Sequence, residues 1–310
     1  MGSLSVNLCG IELDNPVIPA SGTFGYGYEF AELYDINCLG TFSFKGTTKE
    51  PRFGNPTPRI AECTGGMINA VGLQNPGVDK VISEELPKLK ACFHKPVMAN
   101  VSGFSVADYA YTCERLDKEE QVGWLEVNVS CPNVRNLTHL QDKETLKEIL
   151  RGLLDFRRGQ NQYRPILLKI SPDLTTAQLD DVIALMQEGG IDGIVATNTT
   201  TNREGLETDS RTLADIGNGG VSGAPLTRRS LETVRYIHEK TEGRFPIIGV
   251  GGIMTEDDAV AMLDAGADLI QVYTGFIYNG PAFVKRICKR LRFEADKRSA
   301  GEQRTDNAGE

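Results

Sequence analysis

Lysine and asparagine residues follow short apolar runs at several separated points of the sequence. Lys45 and Lys169 each end such a run, and Asn100, Asn128 and Asn198 end three others. A lysine inside a protein is costly unless a negative group balances it, whereas asparagine can donate and accept hydrogen bonds at once. Together these residues fit a planar ligand that carries amide N–H and C=O groups. The main alternative for the lysines is Schiff-base chemistry of the aldolase type.

Cys131 follows the fourth apolar run, within the segment NVSCPN at 128–133. A thiol in a partly dry pocket near cations can act as a general base, because its pKa of ~8.5 can move toward neutrality. An inert buried cysteine is the alternative. The sequence has three histidines and none lies beside a GxSxG motif, so a Ser-His-Asp triad has no support.

Glycine-rich turns in the second half of the chain could hold a phosphate group. GVGG at 249–252 and Thr274-Gly275 follow the last two apolar runs, and a third glycine-rich loop spans 219–223. Glycines let backbone N–H groups approach phosphate oxygens. A dinucleotide-binding fold is not indicated, because GVGG at 249–252 is neither early in the chain nor followed by the expected acidic residue. Tight turns without a ligand are the alternative.

A flavin would explain the buried lysines, since reduced flavin carries negative charge near its N1 and O2 edge that a lysine can stabilise. FMN would also supply a phosphate for the glycine-rich turns. The competing hypothesis from another class is a barrel that only binds a phosphorylated ligand and catalyses nothing.

The elements that position these residues alternate along the chain. The apolar runs lie at 17–18, 41–44, 96–99, 124–127, 166–168, 193–196, 247–250 and 269–272. Between them, apolar spacing near 3.6 residues predicts helices at 83–91, 105–116, 143–158, 176–188, 228–240, 255–265 and 281–295.

Eight strands alternating with helices predict a single-domain α/β protein, a (β/α)8 TIM barrel. The active site of this fold lies at the C-terminal ends of the strands, which is where the polar residues fall. We expect the barrel to span 1–296, with an N-terminal hairpin at 4–13 under its bottom and loop insertions at its C-terminal face. Residues 297–310 are polar and lack periodicity, so we expect a disordered tail there.

Composition narrows the class of protein. The net charge of −9 argues against nucleic acid or an anionic membrane as the main partner. The seven cysteines form no CxxC pair, so we expect no metal site and reduced thiols. Neither a secretory signal nor a bilayer-length apolar run occurs, and we therefore expect a cytoplasmic protein.

Several segments resemble one family. These segments are PASGTFG at 19–25, FKGTT at 44–48, GNPTPR at 54–59, NAVGLQNPG at 69–77 and NVSCPNV at 128–134. They are similar to class 1B dihydroorotate dehydrogenases, and the resemblance extends from residue 4 to about residue 292.

The resemblance implies oxidation of dihydroorotate to orotate in pyrimidine (UMP) biosynthesis, with one FMN per chain. Cys131 would take a proton from C5 while hydride passes from C6 to N5 of FMN. The residues implied to hold the orotate ring and carboxylate are Lys45, Asn69, Ala70, Val71, Gly72, Leu73, Asn128, Asn133, Asn198 and Thr199. Those implied to hold FMN are Ser21, Lys45, Gly46, Asn100, Asn128, Lys169, Val195, Gly223, Gly251, Gly252, Thr274 and Gly275.

The electron acceptor is less determined by the resemblance. Class 1B implies a homodimer that joins a partner subunit carrying FAD and a 2Fe-2S cluster in a heterotetramer, and electrons passed to NAD. The segments 134–143, 169–175 and 196–200 are closer to class 2, whose members use quinone. Because the chain starts directly at the hairpin, without the N-terminal helical extension of class 2, we expect NAD rather than quinone. Fumarate as acceptor, or another dihydropyrimidine as substrate, are the alternatives.

Overall fold

The structure is a computed structural model that describes residues 4–130, 143–160, 163–188 and 190–306. Its strands are, in chain order, β1 (Val6–Leu8), β2 (Ile11–Leu13), β3 (Val17–Pro19), β4 (Ile60–Cys63), β5 (Gly66–Asn69), β6 (Val97–Val101), β7 (Val122–Asn128), β8 (Ile166–Ile170), β9 (Gly193–Ala196), β10 (Gly220–Gly223), β11 (Ile247–Val250) and β12 (Leu269–Val272).

The α-helices within the same ranges are α1 (Tyr28–Ala31), α2 (Val78–Lys80), α3 (Leu86–Lys90), α4 (Val106–Asp117), α5 (Lys143–Arg158), α6 (Thr176–Gln187), α7 (Ser210–Ile216), α8 (Thr227–Thr241), α9 (Glu256–Asp264), α10 (Thr274–Asn279) and α11 (Ala282–Asp306). A π-helical turn, Val81–Glu85, joins α2 to α3. Thr175 and Thr255 begin α6 and α9 with capping boxes, which satisfy backbone N–H groups at each helix start. No helix of the described ranges is both long and apolar enough to cross a bilayer.

The parallel sheet has the strand order β3-β12-β11-β9-β8-β7-β6. Residues 42–44 close it into a barrel: the Ser43 N–H donates to the Pro19 carbonyl at 3.0 Å, and the Phe44 N–H to the Met98 carbonyl at 3.0 Å. This segment is the second predicted strand. It pairs through a single bridge, Ser43 to Met98, rather than as a regular strand. The predicted (β/α)8 barrel is confirmed.

The interior of the barrel has two layers of different chemistry. The lower layer is apolar and includes Ile18, Met98, Trp124, Leu167, Val195 and Leu269. Two residues further along the same strands, the upper layer is polar and includes Asn100, Glu126, Lys169 and Gln271. Successive side chains of a strand point to opposite faces, so a step of two residues stays inside the barrel and moves toward its C-terminal mouth.

The N-terminal hairpin covers the bottom of the barrel, as the sequence predicted. β1 and β2 pair antiparallel, with Leu8 opposite Ile11. The Trp124 indole N–H donates to the Leu8 carbonyl at 3.2 Å, which ties the hairpin to the lower layer.

A three-stranded antiparallel sheet in the order β10-β5-β4 is built from the loop insertions at the opposite face. Asn69, at the end of β5, pairs with Gly220 of β10. The sequence predicted the insertions but not these strands, because each has only four residues and none has a sustained apolar pattern.

The last helix extends beyond the predicted end of the barrel at residue 296. The sequence predicted a disordered tail from residue 297, and α11 is assigned as helix to Asp306. Charged pairs accompany this part of the helix: Arg298 contacts Asp264 at 2.6 Å, and Lys297 lies 4.0 Å from Glu294. Residues 307–310 lie outside the described residues.

Candidate active site

Polar and glycine residues from the strand ends converge on one cavity at the C-terminal mouth of the barrel, here called the inner cavity. The predicted site residues that line it are Ser21, Lys45, Gly46, Asn69, Val71, Gly72, Leu73, Asn100, Asn128, Lys169, Asn198, Thr199 and Gly251. These residues, which come from distant segments of the sequence, therefore meet at one cavity.

A second, larger cavity adjoins the first, and we call it the outer cavity. It has a volume of about 980 Å³, which is in the range of sites that hold a ligand of cofactor size. Both cavities are lined by Gly22, Lys45, Asn69, Val71 and Tyr273, so they meet along these residues. Burial raises the pKa of Tyr273, which keeps its hydroxyl protonated at neutral pH.

Glu126 lies directly beneath the inner cavity and accepts hydrogen bonds from three side chains. Its Oε1 accepts from Asn100 Nδ2 at 2.7 Å and from Lys169 Nζ at 3.0 Å. Its Oε2 accepts from Gln271 Nε2 at 2.8 Å. Lys169 Nζ also donates to Gln271 Oε1 at 3.2 Å. Strands β6, β7, β8 and β12 thus contribute one closed network.

The charge state of this network follows from its contacts. Burial alone would raise the pKa of Glu126, but the Lys169 ammonium and the hydrogen bonds from Gln271 and Lys169 hold it below its ordinary value. Glu126 is therefore a carboxylate at neutral pH, and Lys169 is its counter-ion.

A second cluster joins the ends of β7 and β9. Asn128 Oδ1 accepts from the Ser130 backbone N–H at 3.1 Å and from the Ser130 hydroxyl at 3.0 Å. Asn198 Nδ2 donates to Ser130 Oγ at 2.9 Å and lies 3.3 Å from Asn128 Oδ1. The Tyr109 hydroxyl donates to the Asn128 carbonyl at 2.8 Å. These bonds fix the backbone that leads into Cys131.

The loop at 69–73 lines the inner cavity, and hydrogen bonds from the Asn75 side chain hold the backbone that follows it. Asn75 Nδ2 donates to the Leu73 carbonyl at 2.8 Å, and Asn75 Oδ1 accepts from the Gly77 N–H at 2.9 Å. Gly72 has a φ of 74°, a conformation that L side chains rarely adopt, and a Cβ there would lie 2.7 Å from the Asn55 side chain. A glycine is required at this point of the loop.

The glycine-rich turns that the sequence predicted to bind phosphate differ in their contacts. Gly251 lines the inner cavity. A Cβ at Gly252 would lie 2.3 Å from Thr227 Cα, so close packing against α8 alone requires this glycine. The Thr274 hydroxyl donates to Ser222 Oγ at 2.7 Å, and Ser222 lines the cavity.

Some predicted site residues do not line the inner cavity: Ala70, Val195, Gly223, Gly252, Thr274 and Gly275. Val195 is fully buried in the apolar lower layer, where its backbone pairs with that of Lys169. Cys131 and Asn133 lie outside the described residues.

Sequence reasoning missed Glu126, Gln271 and Tyr273. Glu126 stands in the middle of a strand that is otherwise apolar up to Asn128. Glu126 lies two residues before the predicted site residue Asn128, so both side chains point to the same face of the strand, and this spacing could have revealed it. Gln271 and Tyr273 likewise lie two and four residues after Leu269.

The described cysteines differ from what a general base requires. Burial is the largest cause that raises the pKa of each of them, to about 12 for Cys9 and about 11 for Cys288. Such thiols stay protonated at neutral pH. Within the described part of the chain, no group of three or more His, Cys, Asp or Glu residues could hold a metal ion.

Comparisons with known proteins agree on one family. A family model described as dihydroorotate dehydrogenase matches residues 3–294. A dihydroorotate dehydrogenase B (NAD(+)) catalytic subunit from Geobacillus kaustophilus is 41% identical over 283 residues, which cover 88% of this chain and 85% of the relative.

A relative named for quinone and a solved structure are also similar to this chain. A dihydroorotate dehydrogenase (quinone) from Christiangramia forsetii is 40% identical over 291 residues, covering 91% of this chain and 82% of the relative. A crystal structure of the ligand-free enzyme from Eimeria tenella superposes with a TM-score of 0.81 at 28% identity, covering 93% of this chain and 86% of that one.

Proposed function

The chain belongs to the dihydroorotate dehydrogenase family, and from this premise we propose that it oxidises dihydroorotate to orotate with FMN bound at the mouth of the barrel. The observation that carries the proposal is the convergence of Lys45, Asn100, Asn128, Lys169 and Asn198 on the inner cavity.

The chemistry of the inner cavity fits a flavin, the cofactor that the family implies. Lys169 supplies a cation, and the buried Asn100 Oδ1 is an acceptor that has no hydrogen-bond partner among the described residues. An isoalloxazine ring offers the complementary groups, an N–H donor and an edge that becomes anionic on reduction. We propose that Ser21, Gly46 and Gly251 form the remainder of its binding surface, with the phosphate near the turns after β11 and β12.

The proposed reaction removes a proton from C5 and a hydride from C6 of dihydroorotate, which leaves the C5=C6 double bond of orotate. Cys131 accepts the proton from C5. A bound FMN supplies the two-electron acceptor for the hydride. Asn128 and Asn198 hold the ring amides from the cluster that precedes Cys131, and Lys45 and Asn69 bind from the outer side.

We propose that the electrons then pass to NAD through a partner subunit that carries FAD and a 2Fe-2S cluster. The printed name of the Geobacillus kaustophilus relative, a catalytic subunit for NAD(+), supports this route. The quinone enzyme from Christiangramia forsetii supports quinone as the second candidate acceptor, since its identity to this chain is nearly the same.

Anaerobic mixing tests the oxidation itself. Dihydroorotate is added to the purified, flavin-loaded protein, and the visible absorbance of the oxidised flavin is expected to bleach with release of one orotate per flavin. Dihydrouracil, which lacks the carboxylate, serves as the matched control and is expected to bleach it far more slowly. Bleaching by dihydrouracil but not by dihydroorotate would contradict the proposal.

A second assay separates the acceptors. The reduced protein is offered a soluble quinone analogue, fumarate, or NAD together with the subunit that co-purifies from the native host. Re-oxidation by NAD only in the presence of that subunit is the expected result, and rapid re-oxidation by quinone alone would replace it.

A further inference from the structure

We propose that Glu126 is a positioning residue that sets how much positive charge reaches the flavin, and that it thereby lowers the reduction potential of the bound cofactor. The inference rests on the proposed function, because it concerns the flavin at the inner cavity. It concerns a residue that does not touch the cavity but contacts two residues that do, Asn100 and Lys169.

The network around Glu126 has only one consistent arrangement of donors and acceptors. A carboxylate can only accept hydrogen bonds, so Asn100 must turn its Nδ2 toward Glu126. The other end of the amide, Oδ1, is thereby left as the acceptor that lacks a partner among the described residues. Glu126 therefore decides which atom of Asn100 is available to a ligand.

The same carboxylate offsets the charge of Lys169. The two side chains are 6% and 0% exposed, and Lys169 Nζ lies 3.0 Å from Glu126 Oε1. Charges interact strongly at such distances because little water screens them. A flavin that gains electrons beside this pair meets the field of an ammonium and of a carboxylate together, and the carboxylate disfavours reduction.

Stability alone does not account for the pair. Buried ion pairs add little stability relative to apolar residues of similar volume, and the layer immediately below consists of such residues. A second buried pair, Arg164 with Asp117, lies 3.2 Å apart with side chains 5% and 6% exposed. Its arginine also donates to the Asp117 carbonyl at 2.6 Å. It ties the end of α4 to the segment before β8, and neither residue lines the inner or the outer cavity.

The test is the two-electron reduction potential of FMN in the loaded protein, measured by anaerobic equilibration with a reference dye. Glu126→Gln is expected to favour the reduced flavin about tenfold or more, a positive shift of about 30 mV or more. Lys169→Gln is expected to shift the potential in the negative direction. Asp117→Asn is the matched control, since it removes one charge of a similarly buried ion pair away from the cavities, and it should leave the potential unchanged.

The double variant Glu126→Gln/Lys169→Gln keeps the test decisive if Glu126→Gln does not hold flavin, because removing both charges leaves no unpaired ion. Its potential is expected to lie above that of Lys169→Gln and closer to wild type. If instead removal of Glu126 leaves the potential unchanged in both backgrounds, the inference is overturned while the proposed function stands. A wild-type protein that binds no FMN overturns the proposed function itself.

Discussion

The lower and upper layers of the barrel interior are built by the same strands and have opposite chemistry. In β7, Trp124 belongs to the apolar layer and Glu126 to the polar layer, two residues further on. In β12, Leu269 and Gln271 repeat the contrast. Both layers are almost completely buried, so exposure does not distinguish them.

The contrast teaches how one barrel separates stability from chemistry. The lower layer stabilises the fold because apolar surface leaves water, and the indole N–H of Trp124 is satisfied by the Leu8 carbonyl. The upper layer buries charges and amides, which is tolerated because Glu126, Lys169 and Gln271 bond to one another. Asn100 Oδ1, which has no partner among the described residues, faces the segment at Gly46. Substitutions in the upper region should change catalysis, and substitutions in the lower region should change stability.

The largest effect is expected at Cys131, the residue that follows Ser130 in the sequence. Cys131→Ala should lower turnover of dihydroorotate at neutral pH by about 10²- to 10⁴-fold, because the variant lacks the proposed base for C5. Bound flavin and melting temperature should stay close to wild type. Steady-state kinetics and the flavin spectrum measure this.

Cys9→Ala is the matched control at the bottom of the barrel. Burial raises the pKa of Cys9 to about 12, so its thiol stays protonated at neutral pH and cannot act as a base. Full turnover is expected in this variant. A Cys131→Ala protein that keeps the wild-type rate would refute the assignment of the base.

Trp124→Ala should have the converse effect. Replacing a fully buried tryptophan with alanine costs about 3–5 kcal/mol of unfolding free energy, and the hydrogen bond to the Leu8 carbonyl is lost as well. Chemical denaturation measures the loss. The turnover per bound flavin of the folded fraction should be unchanged, and a large fall there would show that the two layers are not separable.

A smaller effect is expected at Asn198. Asn198→Ala removes the donor to Ser130 Oγ and the proposed contact with the substrate ring, so KM for dihydroorotate should rise by about 10- to 100-fold, as for about 1–3 kcal/mol of lost hydrogen bonding. Asn7→Ala is the matched control, since Asn7 lies in the hairpin at the bottom, where its Oδ1 accepts from the Gly10 N–H at 2.9 Å. It should leave KM unchanged. Equal KM in both variants would remove Asn198 from the substrate site.

The smallest effect is expected in the free energy of unfolding at acid pH. The pKa of Glu126 is lowered in the folded protein, so its contribution to stability is complete above the unfolded value of about 4.3. It is lost as the pH falls from there through the folded value. The free energy of unfolding of wild type should therefore decline more steeply than that of Glu126→Gln below this pH. Parallel curves from urea titrations across the acid range would contradict the lowered pKa.

Much of this protein could be predicted from local sequence. The alternation of apolar runs and helical patterns is a local property, and it predicted eight strands that alternate with helices. The polar ends of the runs predicted the mouth, because parallel strands of a barrel bring their C-terminal ends to one face. Lys45, Asn100 and Lys169 accordingly line one cavity.

The closure at 42–44 was decided only by the tertiary structure, because its hydrogen bonds go to Pro19 and Met98, residues distant in sequence. The partners of Lys169 were likewise hidden, since the sequence shows a lysine in a strand but not that Glu126 on the neighbouring strand and Gln271 across the barrel contact it. The sequence determined which residue types stand at which strand positions, since that periodicity is set by backbone geometry. Only the curvature of the closed barrel decided which of them touch, since distance across the interior depends on every strand at once.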